Sequence, residues 1–232
     1  MVLHAINTAT AFVATWARFG LGSRVSALGP RPEKPLEVYE FEGCPFCRKV
    51  REALTVLDLP VVVHPCPKGP SRYRAWVIEN GGKRMFPYLV DPNTDTAMYE
   101  SGDIVRYLFR TYGAGRRPFL LASGPIGNFS SQMASLPRLG RGTFYRGTVE
   151  PEQLLELYSY EASPYCRLVR EVLSELGLPY LLHNVARGSR ARQAFVARSG
   201  KMQVPYLVDP NTDTALFESG AIIAYLRGTY RA

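Results

Sequence analysis

The chain lacks several things, and each absence narrows its possibilities. Four cysteines in 232 residues are too few for a disulfide framework. No apolar run approaches the roughly 20 residues that a transmembrane helix needs. Acidic residues are missing from residues 1–32 and again from residues 104–149, which leaves a net charge of +8. Such an excess suits an acidic partner, but no nucleic-acid recognition motif accompanies it, so none is expected to bind. Membrane contact is not expected either. Cys44, Cys47, Cys66 and Cys166 suit a reducing compartment, and no second Cys-x-x-Cys or neighbouring histidine completes a metal site, so no metal is expected.

What the chain has is one unit of about 75 residues written twice. Leu36-Glu37-Val38-Tyr39 returns as Leu155-Glu156-Leu157-Tyr158, and the run from Pro87 to Ala97 returns unchanged from Pro205 to Ala215. Glu100-Ser101-Gly102 returns as Glu218-Ser219-Gly220. Alternation over 36–41 predicts a strand, and Val50, Leu54 and Leu57 then recur at helical spacing. A second strand over 61–64, a helix over 71–80 stopped by Gly81-Gly82, two short strands around Asp91-Pro92-Asn93, and a last helix capped by Ser101 complete the unit. The order βαβαββα predicts an α/β fold of two tandem domains, each a four-stranded mixed sheet with helices on both faces.

These patterns divide the chain into an N-terminal segment (1–34), a first domain (35–113), a hydrophobic and basic linker (114–153) and a second domain (154–232). The N-terminal segment interleaves Ile6, Phe12, Val13, Trp16 and Phe19 with small residues. It reads equally as a transit-peptide remnant or as a helix packed on the first repeat. The linker carries Phe119, Ile126, Phe129, Met133 and Phe144, so it is expected to lie against the repeats, with a short helix near 128–136.

Cys44 follows the first strand and precedes a helix opened by Pro45, where unpaired N–H groups and the positive helix end favour a thiolate. Arg48 and Lys49 in the first turn are expected to add to that effect, and Cys47 lies one turn inward, placed to resolve a mixed disulfide. Redox or thiol-transfer chemistry is one reading; a buried inert pair is another. In the second copy Ser163 takes the outer position, either as a helix cap or as a hydrogen-bond partner for a bound thiolate, and Cys166 reads as a packing residue. Pro87 and Pro205 open strands, where a proline calls for a cis bond that turns the preceding residue's polar groups toward an extended peptide. Glu100-Ser101 and Glu218-Ser219 open helices that favour a carboxylate, with the acidic side chain free for an ammonium.

Cys44-Pro45-Phe46-Cys47, Phe86-Pro87 and Glu100-Ser101, with Ser163-Pro164-Tyr165-Cys166, Val204-Pro205 and Glu218-Ser219, resemble the N-terminal, thioredoxin-fold domain of glutathione transferases and their glutaredoxin relatives. The arrangement is similar to the plant and algal class with two such domains in one polypeptide, and it lacks the long all-helical domain that follows in an ordinary transferase. The resemblance implies glutathione as substrate or cosubstrate, Cys44 as catalytic cysteine and Ser163 in the corresponding place. It implies that the backbones of Phe86 and Val204 pair with the cysteinyl part, and that Glu100 with Ser101, and Glu218 with Ser219, hold the γ-glutamyl end. Lys68 and Arg187 become partners for the glycyl carboxylate. The implied function is a glutathione-dependent thiol transferase acting on disulfides or electrophiles. The alternatives are a non-catalytic module for glutathione or apolar ligands, or a partner-binding protein. A plastid location is expected from the N-terminal composition and the resemblance, otherwise the cytoplasm.

Overall fold

The structure is a computed structural model, and it describes residues 9–13, 18, 20–122, 124–138 and 140–232. Ile6, Trp16 and Phe19 lie outside the described residues. Each repeat forms the predicted elements: β1 (Leu36–Glu40), α1 (Pro45–Leu57), β2 (Val61–Pro65), α2 (Arg72–Gly81), β3 (Tyr88–Asp91), β4 (Thr96–Met98) and α3 (Ser101–Tyr112) in the first. The intervening segment holds α4 (Phe119–Ala122) and α5 (Gly124–Ser135), and α5 packs on α1. The second repeat follows as β5 (Leu155–Ser159), α6 (Pro164–Leu176), β6 (Tyr180–Asn184), α7 (Arg192–Ser199), β7 (Tyr206–Asp209), β8 (Thr214–Phe217) and α8 (Ser219–Tyr230). No helix among the described residues is long and apolar enough to cross a membrane.

The two four-stranded sheets expected from the sequence are joined into one. The strand order is β4-β3-β1-β2-β6-β5-β7-β8, and the join is an antiparallel pairing of β2 with β6, Val61 opposite Leu182 and Val63 opposite Tyr180. Pairing removes the edge that each β2-type strand would otherwise expose. On one face Leu36, Val38, Val61, Val63 and Leu89 join their counterparts and the inner sides of α1, α3, α6 and α8 in a single core that runs through both repeats. On the other face the cores stay separate: Tyr39, Cys66, Val77 and Tyr88 under α2, and Tyr158, Val185, Phe195 and Tyr206 under α7.

Above the join, α1 and α6 meet through buried charges. Glu161 accepts Arg51 at 3.0 Å and Arg170 at 2.7 Å, and Arg170 also reaches Glu42 at 3.1 Å. Burial opposes ionisation of Glu161, but Arg170, Arg51, Arg167 and Arg48 outweigh it and hold the carboxyl down at about 2. Buried ion pairs add little net stability, yet removing one partner is costly, so the cluster fixes how the repeats meet. Asp58 shows the same joining role at the end of α1. It sits in the left-handed region (φ 58°), where its counterpart is Gly177. An aspartate holds that conformation because its carboxylate accepts the Asn184 amide at 2.7 Å and the Arg190 N–H at 3.0 Å, across the junction.

Candidate functional site

Cys44 is the N-cap of α1. Its backbone is extended (φ −84°, ψ 120°), Pro45 follows without an N–H, and Sγ accepts the Cys47 N–H at 3.3 Å. The side chain is only 4% exposed. Burial by itself raises a thiol's pKa, but hydrogen bonds from the Cys47 thiol and backbone and from the Phe46 backbone outweigh it, and the Cys44 thiol sits below its ordinary value. Cys47 is buried beneath, and burial together with its bond to Cys44 pushes its thiol well up. Cys66 and Cys166 are also buried thiols whose pKa burial raises.

The expected help from Arg48 and Lys49 is corrected here. Arg48 turns from Cys44 to pair with Glu52 at 3.2 Å and to approach Glu161 at 3.9 Å. Lys49 reaches Asn128 of α5 at 3.3 Å. Both are drawn into the junction because α1 faces α6 and the intervening segment, so the thiolate depends on local N–H and S–H donors instead.

Ser163 repeats the geometry of Cys44 with oxygen in place of sulfur: it caps α6, and Oγ accepts the Cys166 N–H at 3.2 Å. The Phe86-Pro87 and Val204-Pro205 bonds are both cis. Helices α3 and α8 begin differently from expectation. The N-cap positions are Glu100 and Glu218, each at φ 66°, and the serines that follow are buried first-turn residues that make no capping bond. The Glu100 carbonyl takes the N–H groups of Asp103 and Ile104, which leaves its side chain outside the helix. A non-glycine residue in this backbone region is strained, and such strain concentrates at functional sites.

Lys68 and Arg187 end the loops after β2 and β6, and both are exposed. Each meets a segment that sequence reasoning did not single out. Arg18-Phe19-Gly20-Leu21-Gly22-Ser23 ahead of the first repeat is matched by Arg138-Leu139-Gly140-Arg141-Gly142-Thr143 ahead of the second. Arg18 pairs with Glu52 at 2.9 Å, as Arg138 pairs with Glu171 at 2.7 Å. Each segment then crosses to the opposite repeat. The Val25 N–H bonds the Arg187 carbonyl at 2.8 Å and the Arg187 N–H bonds the Ser23 carbonyl at 3.2 Å, while the Tyr145 N–H bonds the Lys68 carbonyl at 2.9 Å and the Lys68 N–H bonds the Thr143 carbonyl at 2.6 Å. The signal was legible as a second, short repeat with paired glycines, two of which (Gly22 and Gly142) adopt positive φ against Glu161 and Glu42.

The two clefts beside the cis prolines differ. In the first, the Arg74 guanidinium lies 4.5 Å from the centre of the Phe86 ring, and Phe41 meets Phe86 edge-on. In the second, Tyr160 and Val204 replace those aromatics, and a cavity of about 510 Å³ opens between Ser23, Tyr160, Arg187, Arg192, Gln203 and Val204. Among the described residues no group of three or more His, Cys, Asp or Glu is arranged to hold a metal ion.

The sequence profile of the glutathione S-transferase N-terminal domain matches residues 38–117 and again 157–232. The chain belongs to that family. Its relatives include the glutathione S-transferase-like protein tpcF of Aspergillus fumigatus, 32% identical over 112 residues, which are 48% of this chain and 49% of that protein. The glutathione S-transferase-like protein OpS6 of Beauveria bassiana is 35% identical over 78 residues, 34% of this chain and 36% of its own. This transferase-family chain therefore spans about half or less of the curated relatives it matches. Among solved structures, the trimeric glutathione transferase TDR1 of Leishmania aligns over 86% of this chain and 68% of its own, with 14% identity and a TM-score of 0.29. At that distance its assembly is a property of that protein alone.

Proposed function

We propose that this chain is a glutathione-dependent thiol transferase whose reacting atom is the Sγ of Cys44. The observation that carries this reading is the Cys44 thiol at the start of α1, held below its ordinary pKa by donors from Cys47 and Phe46. The thiolate attacks the glutathionyl sulfur of a mixed disulfide. The old S–S bond breaks, the substrate thiolate leaves and takes a proton from water, and Cys44 carries the glutathione. A second glutathione thiolate then attacks that sulfur, regenerating the Cys44 thiolate and releasing oxidised glutathione. Cys47, held as a thiol, serves in this cycle as a hydrogen-bond donor and not as a second nucleophile. Glutathione would lie along the Phe86 backbone, its γ-glutamyl end at Glu100 and Ser101 and its glycyl end toward Lys68. The second cleft would use Val204, Glu218, Ser219 and Arg187 in the same way, with Ser163 near a thiol that it cannot bond covalently.

A steady-state assay of mixed-disulfide reduction by glutathione tests the proposal. Activity abolished in Cys44→Ser and retained in Cys47→Ser and Ser163→Ala supports it; full activity in Cys44→Ser removes it. The low exposure of Cys44 favours a second reading, in which both clefts bind glutathione or an apolar ligand without turnover. Saturable binding with no activity in any disulfide assay selects that reading. A plastid location remains a proposal that rests on the acid-free, basic N-terminal residues.

A further inference from the structure

The outer face of α3 carries charges that its fold does not need. Helices α3 and α8 both begin Ser-Gly, and each sends two tyrosine hydroxyls to an aspartate: Tyr107 and Tyr112 to Asp91, Tyr225 and Tyr230 to Asp209. That inward face is the same in both repeats. On the exposed face Asp103, Arg106 and Arg110 stand where α8 has Ala221, Ala224 and Gly228. Small residues therefore suffice for the helix, and the charges on α3 call for another reason.

Arg106 and Arg110 line a cavity of about 580 Å³ together with Arg117, which the loop after α3 brings back to the helix. Gly115 turns that loop at φ 121°, a conformation open to glycine. Asp103 holds Arg106 in a close contact. Among the described residues Arg110 and Arg117 pair with no carboxylate, and the sequence has no acidic residue between Asp103 and Glu150. The excess charge is felt at Lys49 of α1: burial lowers its pKa, Arg18 lowers it further, Glu52 opposes them, and Arg106 and Arg117 add to the lowering. Met98 and Phe109 give the same cavity an apolar wall, and at the place of Phe109 the second repeat has Arg227.

Size and charge select the ligand class. Three arginines against one aspartate leave an excess of positive charge that a single carboxylate would not balance. Phosphoryl groups carry more charge and meet guanidinium forks through paired oxygens. The cavity is of the size that takes organic ligands, larger than a bare phosphate fills. We propose that it binds an organic diphosphate of nucleotide size, with Arg110 and Arg117 on the phosphoryl oxygens and Met98 and Phe109 against the organic part. Asp103 limits the affinity by competing for Arg106. The lining includes neither Cys44 nor a cis proline, so the site stands or falls separately from the glutathione reading.

Calorimetric titration of the full chain with ADP at low salt is the test. ADP should bind saturably, adenosine should not bind, and pyrophosphate should bind about tenfold more weakly than ADP. Arg110→Gln and Arg117→Gln should each weaken ADP about tenfold, and Arg110→Lys should keep part of the affinity. Asp103→Asn should tighten ADP about threefold, because it frees Arg106. Arg227→Gln, on the matching helix of the second repeat, should change nothing. That variant separates a site from general charge, since it removes one positive charge as Arg117→Gln does. An equal loss of ADP affinity in Arg227→Gln and Arg117→Gln would overturn the assignment. So would pyrophosphate binding as tightly as ADP, which would leave the apolar wall without a role, or a native chain with no saturable ADP binding.

Discussion

The Sγ of Cys44 lies 3.3 Å from the backbone nitrogen of Cys47 and accepts its N–H, and the same bond is made 3.2 Å long by Ser163 and Cys166 in the second repeat. One arrangement therefore holds a sulfur that can ionise and an oxygen that cannot. The first prediction concerns that sulfur. Iodoacetamide should modify Cys44 with a pH midpoint below the free-thiol value of about 8.5. Cys47→Ala should move the midpoint part of the way back, because the thiol donor goes and the backbone donor stays. A free-cysteine profile in the native protein would remove the physical basis for a nucleophile here.

A second prediction concerns the junction. Glu161→Gln leaves Arg51 and Arg170 without the carboxylate they share, and it should cost about 3–5 kcal/mol in denaturant unfolding. The pH dependence has a definite sign. A carboxyl whose folded pKa is lowered from 4.5 to about 2 contributes stability that is present above about pH 4.5 and lost as the pH falls toward 2. The variant should lose that part of the acid dependence. An unchanged unfolding midpoint would mean that the charges do not hold the repeats together.

Asp91 and Asp209 make a third case. Burial opposes their ionisation, but Tyr107 and Tyr112, and likewise Tyr225 and Tyr230, donate hydroxyls and hold both carboxyls below 3.8. That stability is present above about pH 4 and fades as the pH drops through the lowered values. Tyr112→Phe and Tyr230→Phe should each cost about 1–2 kcal/mol at neutral pH and less in acid, read by thermal unfolding at pH 7 and pH 3. A cost that is equal at both values would show that the hydroxyls do not act through the aspartates.

The fourth prediction uses the difference between the repeats. A Cβ on Gly43 would meet the Thr143 hydroxyl oxygen at 2.0 Å, whereas the second repeat has Ala162 with Ser23. Gly43→Ala should destabilise by about 1–3 kcal/mol, and adding Thr143→Ser should recover part of it, since serine can rotate its hydroxyl away where the β-branched side chain cannot. Strict additivity of the two changes would show that the segment does not press on the Cys44 loop.

Much of this architecture was legible in the residues. The duplicated strings made each element prediction twice, and Cys44, Pro87 and Glu100 fell at a helix start, a cis bond and a helix entrance, as their chemistry suggested. The join between β2 and β6 was less visible, because strand pairing across a junction is a tertiary event. Its trace was the run Val61-Val62-Val63 facing Tyr180-Leu181-Leu182, too apolar for the edge of a half-exposed sheet. Arg48 and Lys49 were misplaced for a related reason. Helical position puts them in the first turn, but only the folded junction shows that Glu52, Glu161 and Asn128 hold them. The glycine-paired segments ending at Ser23 and Thr143 went unread because they are short and flanked by dissimilar residues, although Ser23 lines the second cleft and the Thr143 carbonyl holds the Lys68 N–H.

The most direct test of the central claim is intact and peptide-resolved mass spectrometry after exposure of the reduced chain to oxidised glutathione. One glutathione should appear on Cys44, be removed by reduced glutathione, and be absent in Cys44→Ser, with nothing added to Cys66 or Cys166. A chain that gains no glutathione, or gains it on a cysteine other than Cys44, would contradict the account.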